Sequence, residues 1–312
     1  MKNIKISTLD EKSILELENT DEAITIFIDD QGTTKDKLMV LNDLLEKKEN
    51  VTVNISSSNI STDKNHIVGI NLLKYILSVR NLDFYSSINS RLSHLKDFSK
   101  LIHIRRLRLY GELERDISFL PLDPLEELES IYIDNGLTLK QDVYLERRET
   151  VREIGASIFR MESFSKNPNI VKIAILSSVT CPDMIYKKLP NLKSIYIEKG
   201  NGINNFSFLN TIKTLEEIEL NDIKSLTSIP DLSSLNNLEK VVLKNLRNLD
   251  NIDYILNNKN IKILVIENIK CKINIEELYN MERLKYINII TDDKLYDKNV
   301  ANALGNLGYQ KY

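Results

Sequence analysis

A triplet of apolar positions, spaced as apolar-x-x-apolar-x-apolar, recurs through the second half of the chain. It is met at Leu192-Ile195-Ile197, Leu215-Ile218-Leu220, Leu238-Val241-Leu243, Ile261-Leu264-Ile266 and Leu284-Ile287-Ile289. The central residues, 195, 218, 241, 264 and 287, lie 23 apart at every step, and Ile170-Ile173-Ile175 precedes them by 22. With 42% apolar residues, one such triplet arises by chance in about 7% of windows, and five in fixed register about twice in a million. Positions one, four and six cannot share one helical stripe, whereas four and six alternate as in a strand. So short a strand cannot bury its apolar side alone. Stacking neighbours about 4.8 Å apart pairs the backbones and merges the apolar residues into one core.

The stretches between triplets must return the chain along the back, and they carry apolar residues of their own, such as Leu226, Ile229, Leu232 and Leu235. The first half is less regular. Val79-Leu82-Phe84, Ile104-Leu107-Leu109 and Leu128-Ile131-Ile133 keep the template at steps of 25 and 24. Further upstream, residues 23–29 (AITIFID) and 50–58 (NVTVNISSS) read as strands. Residues 35–48, with Leu38, Leu41, Leu44 and Leu45, and residues 66–79, with Ile67, Ile70, Leu73, Ile76 and Leu77, have helical spacing. The expected organisation is an irregular strand–helix stretch or cap over 1–75, a repeat solenoid over 76–291, and a cap over 292–312. Within the solenoid, Val151, Ile154, Ile158 and Met161 predict an enlarged helical segment at about 138–165, or two compressed repeats.

The run LTSIPDLSSLNNLEKVVL, residues 226–243, resembles a leucine-rich repeat of the bacterial type with 22–23 residues per repeat, and LPNLKSIYIEKG and KTLEEIELNDI repeat its strand. The resemblance covers residues 170–290. It implies an α/β repeat solenoid, a curved right-handed superhelix with a parallel sheet on the concave face and helices and loops on the convex face. One departure is visible. The family places Asn or Cys three residues after the last strand apolar residue, where this chain has Ile223, Leu246 and Ile269; Asp222, Asn245 and Asn268 sit one residue earlier.

Composition narrows the function classes. A net charge of −3 gives no basis for binding nucleic acid or a membrane surface. No apolar run approaches a membrane span, and the first residues lack the apolar segment of a secretory signal. A cytoplasmic location is expected, and the abundance of Asn, Ile and Lys suggests a bacterial source. Cys181 and Cys271 lie about four repeats apart, so two buried free thiols are expected rather than a disulfide. His66, His94 and His103 are the only histidines, and nothing in the sequence couples them to a nucleophile. Zinc-protease, paired C-x-x-C, nucleophile-elbow and P-loop patterns are all missing. Gly200-Asn201-Gly202 has Asn205 where a dinucleotide fingerprint needs glycine, and reads as a turn. Acidic pairs such as Glu126-Glu127, Glu216-Glu217 and Glu276-Glu277 read as solvated faces. No catalytic residue, cofactor or metal is expected.

What remains is a surface. In the implied architecture, residues between the apolar positions line the concave sheet face. The candidate partner-binding residues are Tyr85, Arg105, Arg106, Arg108, Tyr110, Tyr132, Asp134, Tyr196, Glu198, Glu217 and Glu219. The tyrosines offer large contact area at low entropic cost. The arginines crowd one row and the glutamates later ones, so a partner of opposite layout would be steered into register. The function expected is non-catalytic protein recognition. The resemblance allows a bacterial immunity protein that masks a toxin, a secreted effector or adaptor that engages a host protein, or an enzyme with an unrecognised site.

Overall fold

The computed structural model describes residues 2–28, 33–57, 69–87, 91–270, 275–278, 280–291, 293–306 and 309–311. The chain divides into two compact units, Met1–Ile154 and Gly155–Tyr312.

The first unit holds six parallel strands in chain order: β1 (Lys2–Lys5), β2 (Ile24–Ile28), β3 (Val51–Ser57), β4 (Asn81–Ser86), β5 (Arg106–Gly111) and β6 (Ser130–Ile133). The register runs Ile26–Val53–Leu82–Leu107–Ile131 and Ile28–Ile55–Phe84–Leu109–Ile133, and all of these side chains are buried. Helix α1 (Glu11–Glu16) is capped by Asp10, whose carboxylate accepts the Ser13 N–H. Helix α2 (Lys35–Lys47) buries the four leucines whose spacing predicts it. The expected helix over 66–79 is instead a 3-10 helix at Gly69–Tyr75, with residues 66–68 outside the described residues. Gly69 holds a φ of +60, a left-handed conformation that breaks a regular α-helix there.

The segment expected as an enlarged helix is a helix followed by a strand. The start of helix α3 (Leu139–Glu146) is held by Gln141, whose Oε1 accepts the Thr138 N–H at 2.9 Å while its amide donates to Ile117 O at 3.0 Å. Strand β7 (Glu153–Arg160) follows, and the division between the units falls within it. Val151, Ile154 and Met161 are buried, but as residues flanking or within a strand rather than as a helical stripe. The three-four-three spacing of Val151, Ile154, Ile158 and Met161 is helical, but backbone pairing overrides it: the Arg152 and Glu153 N–H groups both donate to Glu129 O, and Ile158 is left half-buried.

The second unit continues with β8 (Lys172–Thr180), β9 (Ser194–Glu198), β10 (Glu217–Asn221), β11 (Lys240–Lys244), β12 (Ile263–Ile269), β13 (Tyr286–Thr291) and β14 (Gln310–Lys311), again parallel and in chain order. Ile173, Ile195, Ile218, Val241, Leu264 and Ile287 are mutual register partners, and none is more than 4% exposed. Ile175, Ile197, Leu220, Leu243, Ile266 and Ile289 form the second buried column. Among the described residues the returns are made by short helices, α4 (Ile185–Lys188), α5 (Asp253–Leu256) and α6 (Ile275–Leu278), and by tight turns. Helix α7 (Lys294–Asn306) packs against β13.

The residues one place before the family's usual asparagine position explain that departure. Lys199, Asp222, Asn245 and Asn268 all take left-handed conformations, with φ between 50 and 62. Asparagine and aspartate tolerate this region better than other non-glycine residues. The turn aligns side chains along the strand ends, where Asn268 donates to Asn245 at 2.8 Å, Asn245 to Asn221 at 2.8 Å, and Asn221 to the Tyr196 hydroxyl at 3.2 Å. Ile223, Leu246 and Ile269 then turn inward and are fully buried. On the back, Asn258 is buried and donates to Leu232 O and Leu235 O while accepting the Asn260 N–H. It joins two successive returns through their backbone.

Two substitutions probe this core. Ile218→Ala should lower unfolding stability by about 2–5 kcal/mol in urea titration, because a cavity opens between two buried neighbours. Asn258→Ala should cost about 1–3 kcal/mol by leaving buried carbonyls unpaired, whereas Asn257→Ala, on the adjacent exposed position, should cost less than about 0.5 kcal/mol.

Candidate partner-binding face

Strand alternation places Arg106, Arg108 and Tyr110 on the side of β5 opposite its buried Leu107 and Leu109. The register sets Asp83 beside Arg108 and Tyr85 beside Tyr110 on β4, and Tyr132 beside Arg108 on β6. Three columns result: Thr52, Asn81, Arg106 and Ser130; Asn54, Asp83, Arg108 and Tyr132; Ser56, Tyr85 and Tyr110.

The aromatic groups are ordered by contact. Tyr85 and Tyr110 stack with centroids 4.5 Å apart and planes 16° from parallel. The Arg108 guanidinium lies 4.8 Å from the Tyr132 ring centroid, which confines both side chains. Tyr132 is only 8% exposed, while Tyr85 is 39% exposed. Asp134, next to β6, accepts the Gly111 N–H at 2.7 Å. Gly111 cannot be replaced, because a Cβ there would meet Ser86 O at 2.0 Å.

The charges at the centre are poorly satisfied. Arg106 donates from Nη2 to Thr52 Oγ1 at 2.8 Å. Yet Arg106 Nε, Arg108 Nε and Asp83 Oδ1 are buried with no hydrogen-bond partner among the described residues. Burial pushes the Asp83 carboxyl above its ordinary range, against the pull of Arg108 and Arg106. Burial, reinforced by Arg108, lowers Arg106. Arg108 is opposed by burial but ends raised, through Tyr110, Asp83 and Tyr132. Tyr85 and Tyr110 are raised by burial, and Tyr132 reaches about 12 for the same reason.

Arg105 does not join this row. It precedes β5, and its guanidinium is bound by Glu127 at 3.2 Å and Glu49 at 3.4 Å. His103 also approaches Glu127, at 3.5 Å. The position before each strand is a charged border rather than part of the face, as Lys193–Glu216 at 2.8 Å and Glu239–Lys262 at 2.6 Å show in the second unit. The sequence cannot separate this border from the face, because the strand begins one residue later than the apolar triplet suggests.

In the second unit, Tyr196, Glu198, Glu217 and Glu219 occupy the sheet side opposite the buried columns. The expected acidic crowd is largely compensated. Glu217 pairs with Lys240 at 2.9 Å and accepts from Ser194 at 3.1 Å. Burial raises its carboxyl, but Lys240 and Ser194 outweigh this and bring it below its ordinary range. Glu219 is raised by burial and by the nearby Glu217 charge. Val242 and Val265, between these charges, are covered by their neighbours and buried.

The remaining candidate chemistry is placed as follows. Cys181 is exposed and left-handed (φ +48), correcting its expected burial: it lies beyond the end of β8, in the turn leading to Pro182. Cys271 and His66 lie outside the described residues. Gly200 and Gly202 have φ of +59 and +81, so this segment is a turn. Among the described residues there is no cluster of His, Cys, Asp or Glu able to hold a metal ion, and no helix long and apolar enough to cross a membrane.

Parallel strands in chain order with in-register buried columns make each unit an α/β repeat solenoid of leucine-rich-repeat-like fold, and in the second unit the strands recur every 23 residues from β9 to β13 and leave through left-handed turns. No protein-family model matches the sequence, and no curated protein matches it. Among solved structures, the chain is similar to an internalin from Listeria monocytogenes, at 15% identity over 96% of this chain and 86% of that one, with a TM-score of 0.41. It is also similar to a leucine-rich-repeat protein of Leptospira interrogans, at 10% identity over 98% and 93%, with a TM-score of 0.37. A third likeness is to TLR13 in complex with single-stranded RNA, at 13% identity over 100% of this chain and 46% of that one, with a TM-score of 0.45.

The raised Tyr132 pKa gives a signed pH effect. Between pH 10 and about 12 the unfolded chain has released this proton and the folded chain still holds it, so the Tyr132 contribution to stability is complete below pH 10 and declines as pH rises through that window. Tyr132→Phe should flatten this part of the stability curve, and phenolate absorbance of the folded protein should lose one group titrating near pH 12.

Proposed function

We propose that the chain is a non-catalytic recognition protein that binds another protein through the concave sheet face, with its centre on the first unit. The carrying observation is the group formed by Asp83, Arg106 and Arg108, each with a buried polar atom unpaired among the described residues and set against ordered tyrosines. The three residues are half-buried, so water screens their charge only in part, and a partner of complementary charge gains from it on binding. Rigid tyrosine and arginine anchors are also the residue types that dominate binding energy at protein interfaces.

Charge favours a protein partner over nucleic acid. Arg106 and Arg108 are flanked by Asp83, Asp134 and Glu153, the last bonded to Ser130 on the same face, so no basic stripe tracks a phosphate backbone. Tyr85, Tyr110, Tyr132 and Asp134 complete the proposed docking centre. Tyr196, Glu198, Glu217 and Glu219 would form a separate polar contribution from the second unit, and Arg105 a border contact.

In this reading the protein acts in a bacterial cytoplasm, and a toxin masked by an immunity protein is the foremost version. An adjacent toxin gene would support it. A secretion phenotype would instead support an effector or adaptor aimed at a host protein. Turnover of a substrate lost on changing Asp83 would support an enzyme.

The test is capture from native lysate with the full chain, alongside Tyr85→Ser, Arg108→Gln and, on α4 of the second unit, the control Tyr186→Ser. A protein retained by the wild type and by Tyr186→Ser should be lost or weakened more than about tenfold by Tyr85→Ser and by Arg108→Gln. Tyr85→Ser should change stability by no more than about 2 kcal/mol, since it removes a partly exposed stacking contact on Tyr110 and a hydrogen bond to Asn54. Undiminished capture by both face variants would refute the assignment.

A further inference from the structure

The turn that leaves β9 carries one of the chain's two Asn-Gly steps, Asn201-Gly202; the other is Asn135-Gly136. Asn201 and Gly202 are both exposed. Gly202 has a φ of +81, and a Cβ there would meet nothing within 4 Å, so the space beside its nitrogen is open. Gly200, at φ +59, precedes Asn201, which is therefore flanked on both sides by residues without a Cβ. The Gly202 N–H donates to no group among the described residues. Among those residues the Asn201 side-chain amide meets only Ser177 Oγ, at 3.4 Å, a long contact for a hydrogen bond. The other step is secured. Asn135 and Gly136 are half-buried, and Asn135 Nδ2 donates to Leu113 O at 3.1 Å.

We propose that Asn201 is a site of spontaneous deamidation, a covalent modification that the fold allows there and suppresses at Asn135. The Gly202 nitrogen attacks Asn201 Cγ and closes a cyclic imide. The Gly202 N–H proton leaves with the Nδ2 group as ammonia. Water then opens the ring. Addition at Cγ breaks the new bond and gives aspartate. Addition at the main-chain carbonyl carbon gives isoaspartate, with the main chain rerouted through Cγ. One water is consumed and one ammonia released, and nothing is oxidised or reduced. The free Gly202 nitrogen, the missing Cβ atoms and the loosely held amide all favour ring closure at this step. Either product places a new carboxylate three residues after Glu198 at the end of β9. Isoaspartate also lengthens the main chain by one methylene. That insertion falls between the Asn201 N–H, which donates to Ser177 O at 2.8 Å, and the buried Ile203, whose N–H donates to Gly200 O at 3.1 Å. The modification therefore loosens the exit turn of β9 with time alone and without an enzyme.

The test ages the purified full chain in mildly alkaline buffer made with heavy-oxygen water and follows both steps by peptide mass mapping. Electron-transfer fragmentation separates aspartate from isoaspartate. In the folded chain Asn201 should be lost more than about tenfold faster than Asn135. Each converted Asn201 should carry one heavy oxygen, and isoaspartate should be among the products. In urea, where the fold no longer protects Asn135, the two steps should convert at similar rates. Gly202→Ala should slow the loss of Asn201 by about tenfold or more. Alanine is strained at that φ, so this variant is read only where its circular dichroism is that of the wild type; the folded and unfolded comparison needs no variant. Equal rates at Asn201 and Asn135 in the folded chain would overturn the proposal. So would an intact Asn201 in the folded chain over a period that converts both steps in urea, conversion without uptake of heavy oxygen, or a folded Gly202→Ala that loses Asn201 at the wild-type rate.

Discussion

The strands inside each sheet present only a few inward apolar side chains, and none can leave water without a neighbour of the same kind at the same height. That mutual dependence governs the molecule. Ile195 is buried because Ile173 and Ile218 flank it in register, and the same holds at each step to Ile287. A slip of one residue would turn a whole column outward. The polar devices therefore all serve register. The left-handed turns at Asp222, Asn245 and Asn268 end each strand at the same height, the Asn268–Asn245–Asn221–Tyr196 chain ties those ends together, and Asn258 ties the returns.

With register fixed by the inner columns, the opposite face can differ in composition between the two units. In the first unit it concentrates arginine, aspartate and tyrosine in adjacent columns, held by stacking rather than by complete hydrogen bonding. In the second unit the same positions are occupied by ion pairs and by small valines that their neighbours cover. One repeat geometry thus carries an incompletely satisfied surface in one unit and a largely self-satisfied one in the other.

Much of this was legible in the sequence, because a fixed 23-residue step in apolar residues has few other physical solutions. The face residues Arg106, Arg108, Tyr110 and Tyr132 followed from alternation alone. Arg105 was not separable from them, since the position where backbone pairing begins is not encoded in hydropathy. Residues 151–161 carry a helical spacing, and the backbone bonds to Glu129 O that make a strand of them leave no mark in hydropathy. The buried roles of Asn258 and Gln141 are not legible in the sequence for another reason. They depend on which carbonyls the returns leave unpaired, a property of loop paths rather than of residue type.

The in-register column is most directly tested by nuclear Overhauser contacts between methyl groups in a selectively methyl-labelled sample of the full chain. The account predicts an unbroken series of cross-peaks linking Ile195 to Ile218, Ile218 to Val241, Val241 to Leu264 and Leu264 to Ile287. A break in that series, with any of these methyl groups instead in contact with water, would contradict it.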